Sequence, residues 1–218
     1  MTPFEASVVT STALTDLINA AALLLAFFFL CRKTQGSDRV SRHWKGFLLM
    51  AAISCFLGWA THIYAWNYGM MFLLWLILNV AIMETAHHFF MVGACTLSNG
   101  TRPTGKELRI LRLAELVVQL IMIGVMLMRW HPIQLLVVFA VLLVIPGMWF
   151  AIRLARSGRK GARILVCFVI PLIPCIVMQV LGYHEEPVIG PLNVDGFCHL
   201  LILLDVPIVY AAARNWSK

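Results

Sequence analysis

Asp16, His62, Glu84, His87, His88, Asp195, His199 and Asp205 all fall inside long apolar runs of this sequence. An ionisable side chain at mid-membrane costs about 2.5–3.5 kcal/mol on insertion scales, so each needs a partner, a cavity or a chemical task. At helical spacing, Asp195 and His199 share a face, as do Glu84 and His88. Thr12, Asp16 and Asn19 line one face of another helix. Asp16, His62, Asp195 and His199 lie toward the outer ends of their runs; Glu84, His87, His88 and Asp205 lie deeper. Two carboxylates and two imidazoles suit a borderline divalent metal, since zinc takes N and O donors at about 2.0–2.2 Å. A position left for water would hold it at a pKa of about 7. His62, Asp195 and His199 are thus candidate zinc ligands, with Asp16 as a fourth ligand or the group that orients one. Glu84 is a candidate general base or acid, and Ser54 a candidate oxyanion donor. Plainer roles stand beside these. Asp16 and Asp195 lie near predicted helix starts and could cap them. The histidines could be hydrogen-bonded packing residues. Glu84 and Asp205 are too deep to be caps, which leaves an interhelical hydrogen bond or a carboxyl kept protonated by burial.

The elements that carry these residues follow from composition. Of 218 residues, 61% are apolar and 12% charged, against about 45–50% and about 25% in soluble domains. A soluble chain of this length has no interior that could hide so much apolar surface. That excludes a cytosolic enzyme, a disordered chain and a disulfide-dense secreted module. Seven apolar segments are predicted to cross the membrane as helices: about Leu14–Leu30, Gly46–Ala65, Met70–Leu97, Leu108–Met128, Ile133–Leu154, Gly161–Leu181 and Val194–Ala213. Continuous apolar runs select helices over the alternating strands of a barrel. The expected fold is a single all-α integral membrane domain over residues 1–218, a seven-transmembrane-helix bundle kinked near Pro146, Pro171, Pro174 and Pro207. The first segment lacks a basic flank and a cleavage site, so it reads as a span rather than a signal peptide.

Charge sets the orientation. Of the 17 Lys and Arg residues, all but Arg129 fall on one side of the threaded chain. The positive-inside rule places the N-terminus outside and the C-terminus in the cytoplasm. The acidic stretch Tyr183–Pro187 fits the outer side. The formal net charge of +7 is read as this orienting signal, and no nucleic-acid partner is expected. Trp44, Trp66, Trp130 and Trp216 are expected at the membrane interfaces. The six cysteines are scattered singly, so no disulfides are expected. Asn99-Gly100-Thr101 matches a glycosylation acceptor, but on a predicted cytoplasmic loop. Short loops suit a bacterial inner membrane.

This topology, with Ser54 and His62 on the second helix and Asp195 and His199 on the seventh, resembles the CREST superfamily of membrane hydrolases, which includes the alkaline ceramidases and the progestin/adiponectin receptors. Members carry a Ser and a His on the second helix, an Asp on the third and an HxxxH pair on the seventh. Their histidines hold zinc. The resemblance maps Ser54 and His62 to the second-helix pair, Glu84 to the third-helix acid and Asp195-x-x-x-His199 to the seventh-helix pair. It departs in three places: Ser54 and His62 are eight apart rather than four, position 58 is Gly, and Asp195 replaces the first histidine.

The leading expectation is therefore a metal-dependent hydrolase of a lipid-like amide or ester, its substrate entering laterally from the bilayer. A second reading is a haem-binding electron-transfer protein, with His62, His87, His88 and His199 as candidate axial ligands. A third is a non-catalytic transporter or sensor that uses its buried acids as a relay. A retinal protein is excluded because the seventh segment holds no Lys.

Overall fold

The computed structural model describes residues 3–33, 38–64, 67–96, 104–128, 145, 147–181 and 187–216. Eight helices are present among them: α1 (Pro3–Lys33), α2 (Arg39–Ile63), α3 (Tyr68–Thr96), α4 (Gly105–Leu127), α5 (147–156), α6 (Lys160–Val166), α7 (Val169–Leu181) and α8 (Val194–Arg214). A short antiparallel hairpin, β1 (Pro187–Ile189) and β2 (Leu192–Asn193), departs from the all-α expectation. It turns at Gly190, whose φ of 56° favours a residue without a Cβ.

Four helical stretches are long and apolar enough to cross a membrane: Thr10–Lys33, Arg39–Ile63, Gly69–Thr96 and Val194–Arg214. They correspond to the first, second, third and seventh predicted segments. The fourth segment forms α4, with Arg109, Arg112 and Glu115 inside it. The sixth is not one continuous span. It breaks at Cys167-Phe168, where tight bonds run from Cys167 N to Ile164 O and from Phe168 N to Leu165 O. Pro171 has no N–H to continue the regular ladder across this point. Most of the fifth segment, the acidic residues 183–186, the Asn99 acceptor, Trp66 and Trp130 lie outside the described residues.

α1 is the centre of the bundle, packed between α2 and α8. α3 lies on α2 and carries α4, while α6 and α7 lie on α8. Large apolar side chains such as Leu25, Phe28, Leu113 and Leu120 face outward, as a lipid-facing surface requires. The main apolar core gathers at the end where α1 and α8 finish and α2 begins, around Leu30, Trp44, Leu48, Val92, Leu165 and Ala212. Two tryptophans expected in an interfacial belt are buried there instead. Trp44 and Trp216 meet edge to face at 5.3 Å, and Trp216 Nε1 donates to Thr96 Oγ1 at 2.7 Å. The helix ends converge on them because the residues between are small. A Cβ at Gly161 would lie 2.6 Å from both Ala212 O and Trp216 Cα. Those obstacles are backbone, so the Gly161→Ala variant is expected to lose about 1–3 kcal/mol through overpacking. Thermal unfolding in detergent checks this, and an unchanged midpoint would contradict the close approach of α6 to α8.

Two caps set the helices that matter most below. Asp38 accepts from Ser41 N at 2.6 Å and starts α2. Asn193 accepts from Gly196 N at 3.0 Å and starts α8. The same Asn193 oxygen accepts from Thr12 Oγ1 of α1 at 2.8 Å, which ties the start of α8 to α1. At α4, Thr104 and Glu107 cap each other reciprocally, and the Thr104 amide and hydroxyl hold the Glu107 carboxyl below its ordinary pKa.

Candidate functional site

The polar face of α1 meets α8 and α2. Thr12, Asp16 and Asn19 are all buried. Thr12 bonds Asn193, and Asn19 Nδ2 donates to His199 O at 2.7 Å, so α1 grips the first turns of α8 on both sides of Asp16. Asp16 Oδ1 then lies 3.3 Å from His199 Nδ1, which Thr15 Oγ1 also approaches at 3.3 Å. Asp16 Oδ2 lies 3.7 Å from His62 Nε2. The two imidazoles face each other with centroids 6.2 Å apart. Asp195, half-buried in the first turn of α8, is within electrostatic range of Asp16, His62 and His199. The side chain of Asp16 is 5% exposed, while those of His62 and His199 are 30% and 21% exposed, so the group opens to the surface through its histidines.

Neither aspartate is a helix cap. Asp16 lies well inside α1, which begins at Pro3, and Asn193 rather than Asp195 caps α8. Oδ2 of Asp16 is buried with no hydrogen-bond partner among the described residues. A buried acceptor left unmade costs about 1–3 kcal/mol. Carboxylate and imidazole are donor types that a divalent ion takes, and here Oδ1 faces His199 Nδ1 while Oδ2 faces His62 Nε2.

Residues 11–218 match a family described as one of unknown function, DUF6962. The chain belongs to that family. The match covers every residue of the group just described. No curated protein and no solved structure matches the chain.

In this DUF6962 chain the other sequence-predicted site residues lie elsewhere. Glu84 receives two bonds from Arg112 of α4, at 2.8 and 3.1 Å. It stands sixteen residues along α3 from Tyr68, roughly 24 Å from the end where α2 carries His62. Ser54 donates to Met50 O and lies 3.5 Å from Thr85 Oγ1, about 12 Å along α2 from His62. Neither is brought to the Asp16 group. His87 bonds Glu115 of α4 at 2.7 Å, and Arg112 also bonds Glu115 at 3.1 Å. Arg112, Glu115 and the neighbouring His43 were not singled out by the sequence reading. The signal for Glu115 is an acid three residues after Arg112 on a long helical run.

Ser54, Thr85 and Asp205 line a partly open cavity of about 240 Å³, otherwise walled by apolar residues such as Leu23, Phe47, Phe89 and Val206. Cys55 is part of its wall. Asp205 is 2% exposed, and both its carboxyl oxygens lack hydrogen-bond partners among the described residues.

Gly58 sets the approach of Asp16 to α2. A Cβ there would lie 2.7 Å from Asp16 Oδ2. The Gly58→Ala variant is expected to push the carboxylate off its position between the imidazoles and, if the group binds a divalent ion, to weaken that affinity about tenfold or more, with little change in folding. Metal titration against circular dichroism checks this. Equal affinity would mean that Asp16 is not held where it is described.

Proposed function

We propose that this DUF6962 chain is a metal-dependent membrane hydrolase acting on a lipid-like amide or ester. The reading rests on one observation: a buried aspartate carboxylate lies between two imidazoles supplied by separate helices, and its Oδ2 has no hydrogen-bond partner among the described residues. His62 Nε2 and His199 Nδ1, the ring nitrogens that face Asp16, would hold the ion with Asp16 and Asp195, and it is expected to be zinc. A divalent ion bound there supplies Lewis-acid polarisation and a water acidified to about neutral pH. The protein's own groups do the rest. Thr15 Oγ1, 3.3 Å from His199 Nδ1, and the bond from Asn19 Nδ2 to His199 O hold that histidine in place. Glu84, held by Arg112, serves α4 rather than the reaction.

The cavity supports the substrate class. Its volume exceeds the roughly 150 Å³ of an apolar cavity that binds benzene. It can take part of an acyl chain, with Ser54 and Asp205 available to a hydroxyl or amine of the same molecule. Asp16 also supports the CREST-like reading: its carboxylate occupies the space beside α2 that a side chain at position 58 would fill. Because that carboxylate lies within 3.7 Å of both imidazoles, a single ion fits between the rings better than a porphyrin. The finer topology, with seven spans, an external N-terminus and this centre on the non-cytoplasmic side of a bacterial inner membrane, is part of the proposal. It is carried by the one-sided distribution of Lys and Arg.

The test is elemental analysis of purified protein together with turnover of a panel of lipid amides and esters in mixed micelles. Bound zinc, with hydrolysis that is lost in the His199→Ala variant, is expected. Metal-free protein, or hydrolysis that survives His199→Ala, overturns the reading. A haem absorption spectrum would favour electron transfer, and ion flux in proteoliposomes without hydrolysis would favour transport.

A further inference from the structure

A second histidine group lies at the opposite end of α2. His43 is near the start of that helix, nineteen residues and roughly 28 Å from His62. It faces His87 and His88 of α3. One ring nitrogen from each of the three lies within 4.8 Å of one from each of the others. His43 Nδ1 and His88 Nδ1 are 3.0 Å apart. The ring centroids stand 6.1, 5.3 and 5.6 Å from one another. Three imidazoles around a tetrahedral ion at 2.0–2.1 Å would set their nitrogens about 3.3 Å apart and their centroids roughly 5.2 Å apart. The triangle is therefore close to the size that a shared ion requires.

Three further features shape it. Glu115 Oε1 lies 2.7 Å from His87 Nδ1, and both side chains are 6% exposed. That buried carboxylate keeps the proton on Nδ1 and leaves the Nε2 lone pair free, the arrangement found behind metal-binding histidines. Gly46 of α2 makes room for His88, whose Cδ2 and Cε1 would each lie 2.6 Å from a Cβ there. The ring is thus held against the α2 backbone with Nδ1 toward His43. The local charge is mixed. Glu84 and Glu115 bring two negative charges, and Arg112 one positive. Arg39 and Arg42, in the first turn of α2 beside His43, add two more positive charges.

We propose that His43, His87 and His88 form a second metal centre, which takes zinc or another borderline divalent ion and clips α2 to α3. Glu115 extends the clip to α4. Three imidazole ligands leave one position for water or an added ligand. The centre is independent of the Asp16 group, so either proposal can stand alone.

The full-length protein, purified in detergent and stripped with a chelator, is titrated with Co2+. Visible ligand-field bands report the nitrogen site, and elemental analysis gives the zinc stoichiometry after reloading. His43 is half-buried and its replacement strands no buried acid, so His43→Asn carries the test. It is expected to remove one metal equivalent and the matching bands while circular dichroism is unchanged. His88→Ala should do the same. Glu115→Gln should weaken this equivalent about 10–100-fold. His199→Ala should leave it intact. No bound cobalt, or unchanged stoichiometry in both His43→Asn and His88→Ala, overturns the second centre. If His199→Ala removes all the metal while His43→Asn removes none, this proposal fails and the Asp16 centre survives.

Discussion

The Asp16→Asn variant is expected to lose metal loading and hydrolysis at the α1–α2–α8 group while the bundle stays folded. The substitution keeps the shape and one oxygen but removes the charge that a dication needs. Asp16 lies within 3.7 Å of both histidines. Its loss should cost more than the 10–100-fold in affinity that follows loss of an outer-shell partner. Folding should not suffer. Without an ion, burying this carboxylate with one oxygen unpartnered already opposes stability. The metal-free variant should therefore unfold at the same temperature as the metal-free parent, or higher. Elemental analysis, turnover and thermal unfolding of both proteins test this together. Full metal content in the variant would remove Asp16 from the site, and a large drop in the metal-free midpoint would make it a structural residue.

The Glu115→Ala variant is expected to have the largest effect on stability, about 2–4 kcal/mol. Glu115 joins His87 and Arg112, and through Arg112 it is linked to Glu84. α4 packs on α3, with these polar contacts between them. Removing the acid leaves buried His87 without its partner, and unpaired buried polar groups cost far more than intact pairs contribute. Arg112 is 46% exposed and contributes the smaller share, since solvent screens it. Glu115→Gln keeps a hydrogen-bond acceptor and should lose less. Thermal unfolding gives the magnitude, and faster hydrogen exchange across α4 than across α1 locates it. A loss below about 1 kcal/mol would show that α4 is held by something else.

The sequence reading reached the bundle in part, and the shortfall follows from physical causes. Long apolar runs mark α1, α2, α3 and α8, because a helix that satisfies its own backbone needs only length and hydropathy to be recognised. Local composition does not show where such a run stops being one rod. The sixth predicted segment divides at Cys167-Phe168, just ahead of Pro171. Trp44 and Trp216 carry the composition of interfacial residues, yet they pack on each other because Gly161 and Ala212 let α6 and α8 close over them. In the candidate site, helical spacing aligned Thr12 with Asp16 and Asn19, and Asp195 with His199. The same arithmetic tied Glu84 to His88, although Glu84 and His87 both turn to α4 while His88 turns to His43.

By itself the sequence determined which residues are too polar for their surroundings and which of them share a face, because both depend on composition and a fixed helical period. Only the tertiary structure decided which face meets which. Asp16 lies between His62 and His199 because Thr12, Asn19 and Asn193 lock α1 to α8, and because Gly58 lets α2 come close. Those contacts join residues more than 40 positions apart, and no spacing rule within one helix can encode them.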